Sequence, residues 1–107
     1  MLIIKQLAKD MECNIREAED KIGTAYSLRA TDPAEAMWYR DMALAHLNFN
    51  AKAHEMIAAQ IAAYKASTEH KEHPEYVEGM QAVWNDRHAD MVVQSARVKS
   101  MIDSFRT

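Results

Sequence analysis

Residues that break helices are scarce in this chain, and their positions divide it into three long helical segments. Proline occurs only at Pro33 and Pro74, and glycine only at Gly23 and Gly79. Proline is tolerated in the first turn of a helix and disrupts a helix interior, so each proline marks a helix start. An isolated glycine costs a helix only about 1 kcal/mol relative to alanine. We therefore predict helices over about 2–30, 33–67 and 74–105, in a single domain covering residues 1–107.

The start of the second helix carries the clearest local signal, the sequence Asp32-Pro33-Ala34-Glu35. The Asp32 carboxylate can accept from backbone N–H groups of the first turn, Pro33 needs no acceptor there, and Glu35 can complete a capping box. The connections between the segments are short, so successive helices must reverse direction. The predicted fold is all-α, with three long antiparallel helices in up-down-up order.

Apolar residues recur at spacings of three and four along the first and third segments, as expected for amphipathic helices. In the first helix this stripe consists of Ile4, Ala8, Met11, Ile15, Ala18, Ile22 and Ala25. In the third helix it consists of Val77, Met80, Trp84, His88, Met91, Ser95, Val98, Ile102 and Phe105. Methionines and the two tryptophans, Trp38 and Trp84, are predicted to fill the core.

The second helix carries two apolar stripes instead of one. The first consists of Met37, Leu44, Leu47, His54, Ile57, Ile61 and Tyr64. The other consists of Trp38, Met42, Ala45, Phe49, Ala53 and Met56. Two stripes call for two packing partners, because a single neighbour would leave apolar surface in water. We expect the bundle to be completed by oligomerisation, with a homodimer favoured.

Composition excludes several classes of function. The net charge of -3 is spread along the chain, so no basic face is available for nucleic acid. The single cysteine, Cys13, excludes an internal disulfide framework and fits a cytoplasmic protein. Leu2-Ile3-Ile4 is too short for the core of a signal peptide, and polar residues interrupt the longest apolar stretch, so we expect neither targeting to nor spanning of a membrane.

Histidines are the residues that could concentrate chemistry. With the helices reversing near Thr31 and Glu72, Glu19 is expected level with Leu44 to His46, and His88 level with about Met56. The two pairs, Glu19 with His46 and His54 with His88, would lie about 12 Å apart along the bundle, too far for one metal centre. We expect His54 and His88 to meet, either as core histidines hydrogen-bonded to each other, to Asn50 or Asn85 or to water, or as metal ligands.

The segment Glu69-His70-Lys71-Glu72-His73 also combines histidines with carboxylates. It lies at a helix end before Pro74, where His and Lys complement the helix dipole. We predict a solvated turn there instead of a metal site.

Three stretches of sequence carry a resemblance to a known family. They are Ala18-Glu19 followed by Ile22; Asp32-Pro33 through Trp38-Tyr39 to His54, Ile57, Ile61 and Tyr64-Lys65; and Met80-Gln81-Ala82-Val83-Trp84 with His88 and Val98-Lys99. Over most of its length the chain resembles small ferritin-like, rubrerythrin-related helical-bundle proteins. The resemblance implies a di-iron centre held by a lone glutamate and by Glu-x-x-His turns.

The ligand set of that family is degenerate here. Glu19 matches the lone glutamate, but the next motif reads His46-Leu47-Asn48-Phe49, and no Glu-x-x-His occurs in the chain. The helix-three region keeps His88 without further carboxylates beside it. We therefore expect a non-enzymatic structural or protein-interaction role with no resident cofactor.

Two alternatives stay open at this point. The first is a metal-binding protein, iron-handling or oxidoreductase, that holds iron or another divalent transition metal on Glu19, His46, His54 and His88 with help from a second subunit. The second is a helical chorismate-mutase-like enzyme, which is disfavoured because its chemistry needs converging cations. The arginines are instead dispersed along the helices, at Arg16, Arg29, Arg40, Arg87 and Arg97.

Overall fold

Three long helices form an antiparallel bundle, as predicted. The structure, a computed structural model, describes the backbone of residues 2–107 and the side chains of that range except those of Leu2 and Glu69. Its helices are α1 (Leu2–Leu28), α2 (Pro33–Lys65), α3 (Thr68–Glu72) and α4 (Pro74–Ser104). The molecule is a rod measuring 61 × 18 × 17 Å. Within residues 2–107, no helix is long and apolar enough to cross a membrane.

Both prolines begin helices, in agreement with the sequence. The Asp32 Oδ1 atom accepts a hydrogen bond from the Glu35 backbone N–H at 3.1 Å, which caps α2. Pro74 occupies the first turn of α4 in the same way, although His73 before it makes no side-chain capping bond. α1 continues through Gly23 and α4 through Gly79, so neither glycine ends a helix.

The connection between α2 and α4 differs from the predicted solvated turn. Thr68–Glu72 forms the short helix α3. The Ser67 Oγ atom accepts the His70 backbone N–H at 3.3 Å, and His70 is half-buried. This segment forms a helical turn because a serine caps its start and Pro74 follows its end. Its polar composition gives no apolar pattern from which the turn could be predicted. The side chain of Glu69, which belongs to the predicted turn, lies outside the described residues.

Close packing of α1 against α2 rests on alanines at matching heights. Two hydrogen bonds fix the alignment: Asn50 Nδ2 donates to the Met11 carbonyl at 2.9 Å, and His46 Nδ1 lies 2.7 Å from Asn14 Oδ1. In this alignment α1 and α2 place alanines level with each other three times along the hairpin, in the pairs Ala8 and Ala53, Ala18 and Ala43, and Ala25 and Ala36. All six are almost completely buried. We call this row the alanine seam.

Larger side chains fill the space between the hairpin and α4. Every member of the predicted α1 stripe is buried, as are Val77, Trp84, Met91, Val98, Ile102 and Phe105 of the α4 stripe. At one end, the Tyr26 hydroxyl donates to the Met101 carbonyl at 2.9 Å, and the Tyr26 ring packs edge-on against Phe105. The stripe of the first predicted helix is thus confirmed as core, and that of the third is confirmed except at Met80, His88 and Ser95, which are half-buried.

Part of the second α2 stripe faces solvent. Trp38, Phe49 and Met56 are 57%, 48% and 51% exposed, and Ala45 and Ala63 beside them are exposed too. The prediction that the tryptophans and methionines fill the core is therefore wrong at Trp38 and Met56, because α1 and α4 both pack on the opposite side of α2, and it is wrong at Met37, which is also exposed. We call these five residues, Trp38, Ala45, Phe49, Met56 and Ala63, the outer stripe.

The alanine seam predicts that added bulk is harmful there and harmless elsewhere on α2. We expect Ala43→Leu to lower the free energy of unfolding by about 1–3 kcal/mol, since the close approach of α1 leaves no room for a larger side chain. Urea unfolding followed by circular dichroism measures this value. Ala51→Leu, at an exposed position of the same helix, should change it by less than about 0.5 kcal/mol. Equal losses in both variants would contradict the seam.

Candidate functional site

His54 and His88 meet, as the sequence predicts. His54 projects from α2 and His88 from α4, and their rings stack with centroids 4.4 Å apart and planes inclined by 20°. Trp84, one turn before His88 on α4, extends the stack at 5.2 Å from His88 and 5.9 Å from His54. The result is a row of three aromatic rings between two helices.

A shallow groove of about 310 Å³ lies beside this row. The three rings form part of its wall together with Ile61 and the polar residues Lys65, Gln81 and Asn85. The groove is therefore the place on this face of the bundle where rings that can bind a metal or a planar group adjoin hydrogen-bonding side chains.

Two of the hydrogen bonds expected at the histidine pair, one between the two rings and one to Asn50, are not formed by the described residues. The two rings stack face to face, and Asn50 bonds to Met11 instead of to either histidine. The His54 Nδ1 atom is buried and has no hydrogen-bond partner in the part of the chain that the structure describes. A buried nitrogen without a partner is unusual in a folded protein and marks a position where a ligand or proton could be held.

Burial lowers the pKa of His88 below its ordinary value of 6.5, and the nearby His54 lowers that pKa further. Both effects penalise the charged imidazolium, the first by desolvation and the second by repulsion between like charges. The stack therefore favours neutral His88.

Glu19 and His46 lie apart from this pair and from each other. The Glu19 carboxylate accepts a hydrogen bond from Arg97 of α4 at 2.5 Å, whereas His46 bonds to Asn14 of α1. The expectation that Glu19 lies level with His46 is therefore wrong. α1 ends at Leu28, before the predicted position, so each α1 residue lies level with an α2 residue about one turn nearer the start of α2.

No metal-binding cluster is evident among the described residues. In that part of the chain, no group of three or more His, Cys, Asp and Glu side chains could hold a metal ion together. A metal bound to His54 and His88 would need its other ligands from water or a second chain. The predicted metal role of Glu19, His46, His54 and His88 stays a prediction.

Sequence reasoning missed two ion pairs between α1 and α4. Arg87 donates from both Nε and Nη2 to Glu12 Oε1, at 2.9 and 2.7 Å, and Arg97 pairs with Glu19. Their partners are far apart in sequence, and charged residues on a helix face carry no signal of which helix they will meet. These bonds align α4 with α1.

Comparisons of the chain with protein-family models, with curated proteins and with solved structures found no match. What is established is a small all-α protein of three long helices. The resemblance to ferritin-like proteins remains a prediction from the quoted residues.

The lowered pKa of His88 makes stability depend on pH. Below about pH 6.5 the unfolded chain binds a proton at His88 that the folded chain resists, so the free energy of unfolding should fall as the pH falls through this range. Urea unfolding at about pH 7.5 and about pH 5.5 measures the difference. His88→Gln should reduce it.

The exposed His73 offers a matched control for this measurement. His73→Gln, which removes the contact of His73 with the Glu75 carboxylate at 3.4 Å, should not reduce the pH dependence. If His88→Gln also kept it, the burial of His88 would not be its source.

Proposed function

We propose that this chain is a ferritin-like helical-bundle protein with a structural or protein-interaction role, and that it associates with a second copy of itself through the outer stripe of α2. The observation that carries the proposal is the row of exposed apolar residues on the side of α2 that α1 and α4 leave uncovered. The proposed role needs no enzymatic site.

The outer stripe is a single line on the helix. At about 100° per residue, Ala45, Phe49, Met56 and Ala63 all fall within about 20° of Trp38 around the helix axis. Scattered exposed apolar residues are ordinary on a protein surface, whereas a contiguous row of them marks an interaction surface. Three large side chains separated by alanines form ridges and gaps that a second helix can fit.

Charge is scarce beside this line. Between Met42 and Tyr64 only Lys52 and Glu55 carry a formal charge. Depletion of charge and enrichment of Trp, Phe and Met are typical of the centre of protein interfaces. The composition of this stretch thus favours burial against a protein surface over exposure to water.

The available area suits self-association. A helix of 33 residues is about 50 Å long and about 10–12 Å wide, so pairing over its length covers roughly 500–600 Å² on each chain. Two such faces bury about 1,000–1,200 Å² together, close to what a specific interface needs. A shorter partner would cover only part of the stripe, whereas a second α2 matches it in length.

One observation favours a metal-binding alternative. His54 and His88 are adjacent, and His54 Nδ1 has no hydrogen-bond partner within the described part of the chain. Imidazole nitrogens suit zinc, copper, iron and nickel. In this alternative a second subunit adds ligands, and the protein handles iron or another divalent transition metal.

Association through the outer stripe is tested by placing a charge within it. The unmodified chain should have a solution mass of about twice 12.2 kDa, and Met56→Glu should reduce it to the monomer mass, because each chain would then bury an unpaired carboxylate in the interface. Analytical ultracentrifugation or light scattering after gel filtration gives the mass.

The control places the same charge on α4. Val93 is exposed and lies outside the outer stripe, so Val93→Glu should keep the dimer mass. A monomer mass for the unmodified protein at concentrations of about 100 μM would overturn the proposal, because an interface of this size should hold at that concentration.

Metal binding separates the two candidate functions. Protein incubated with Fe(II), Mn(II) or Zn(II) and then desalted should retain less than one metal ion per chain by elemental analysis. Retention of about two irons per chain would instead support the ferritin-like chemistry. In that case His54→Ala and His88→Ala should each reduce the metal content, and unchanged content would remove both residues from the site.

A further inference from the structure

We infer that α2 pairs with α2 of a second copy in antiparallel orientation, with the two-fold axis between Asn50 and Ala51, and that Met56 of each chain enters the groove between α1 and α2 of the other. The inference rests on the proposed self-association and specifies its geometry.

Large and small residues alternate so that only one orientation interlocks. In a parallel pair, Trp38 would meet the partner's Trp38, and Phe49 the partner's Phe49. Large side chains would then collide while alanines faced alanines across gaps, and such uneven packing is destabilising. The antiparallel arrangement avoids this pattern.

With the two-fold axis between Asn50 and Ala51, a residue on one side of the axis faces the partner's residue that lies equally far along the helix on the other side of the axis. Trp38 then lies opposite the partner's Ala63, and Ala45 opposite the partner's Met56. Every large residue of the outer stripe is opposite an alanine, except Phe49, which lies opposite the partner's Lys52 near the axis. The lysine stem can cover the ring while its ammonium group stays in water.

Charges beside the stripe favour the same orientation. A parallel pair would set Asp41, Lys52 and Glu55 each against its own copy. In the antiparallel pair the partner's Glu55 lies level with His46, and the partner's Gln60 level with Asp41. Asp41 and Glu55 are thereby separated from their own copies, the two Lys52 residues stay near the axis in either orientation, and the helix dipoles oppose each other.

A groove next to the outer stripe can accept the partner's Met56. It lies between α1 and α2 and has a volume of about 500 Å³, and its lining includes Cys13, Met42, Ala45 and Phe49. Ala45, the residue opposite the partner's Met56, forms part of its wall, and the small side chain leaves the groove open toward the partner. Methionine is flexible and fits irregular apolar gaps well.

Single-cysteine crosslinking distinguishes the orientations. In a Cys13→Ser background, Lys52→Cys places two thiols about 5 Å apart along the axis of an antiparallel pair, whereas Ala63→Cys places them about 37 Å apart. A short bis-maleimide should therefore link Lys52→Cys to itself at least tenfold faster than Ala63→Cys. A mixture of Ala45→Cys and Met56→Cys chains should link to each other.

Every other outcome of the crosslinking experiment contradicts one part of the inference. If both variants are dimers by mass and Ala63→Cys links as fast as Lys52→Cys, the pair is parallel. If both are dimers and neither links, the chains associate through another face. A monomer mass for the variants and for the unmodified chain defeats the proposed self-association itself, so the two failures are distinguishable.

Cys13 provides a second measurement in the unmodified chain, because it is exposed in the single chain and lines the groove. Occupation by the partner's Met56 should slow the reaction of Cys13 with N-ethylmaleimide by about fivefold or more relative to the Met56→Glu monomer. Met56→Ala, if still a dimer by mass, should restore the faster rate. Equal rates in all three proteins would show that Met56 does not enter the groove.

Discussion

The alanine seam between α1 and α2 is the interaction on which the other features depend. Small side chains at matching heights let the two helix backbones approach closely, and dispersion contacts along a long seam add up to substantial attraction. The seam sets the alignment that lets Asn50 reach the Met11 carbonyl and His46 reach Asn14. α4 then packs on the hairpin through larger residues and is aligned by the ion pairs of Arg87 and Arg97.

The hairpin of α1 and α2 is narrow, so one side of α2 has no packing partner within the bundle. α4 covers one side of the hairpin, where Trp84, His54 and His88 stack, and the other side of α2 keeps its apolar residues in contact with water. A fourth long helix on this side would remove the exposure, and residues 2–107 form three long helices. The same close packing that makes the bundle thin therefore leaves the outer stripe exposed, and that stripe is where we place the proposed partner.

Much of the fold could be read from the sequence because helix starts and core stripes are local patterns. Pro33, Pro74 and the heptad-like spacing of α4 depend on neighbours within one or two turns. The meeting of His54 and His88 followed from helix length alone. Trp38 could not be placed because its environment depends on which side of the hairpin α4 packs against. Glu19 could not be placed because the turn after α1 begins two residues earlier than predicted. The helix α3 was not predicted, because it begins at a single serine cap within a polar segment.

The bond between Asn14 and His46 has a consequence for how the hairpin finds its alignment. Alanines repeat every seven residues at Ala18 and Ala25 and at Ala36 and Ala43, so a smooth seam could slide by two turns and pair alanines again. After a slip in one direction His46 would lie level with Leu7, and after a slip in the other it would lie level with Lys21; either slip breaks its bond to Asn14. Polar groups within helix interfaces select one register by penalising the others. The bond between Asn14 and His46 thus favours one register of α1 against α2 over the other registers that the alanines alone would permit.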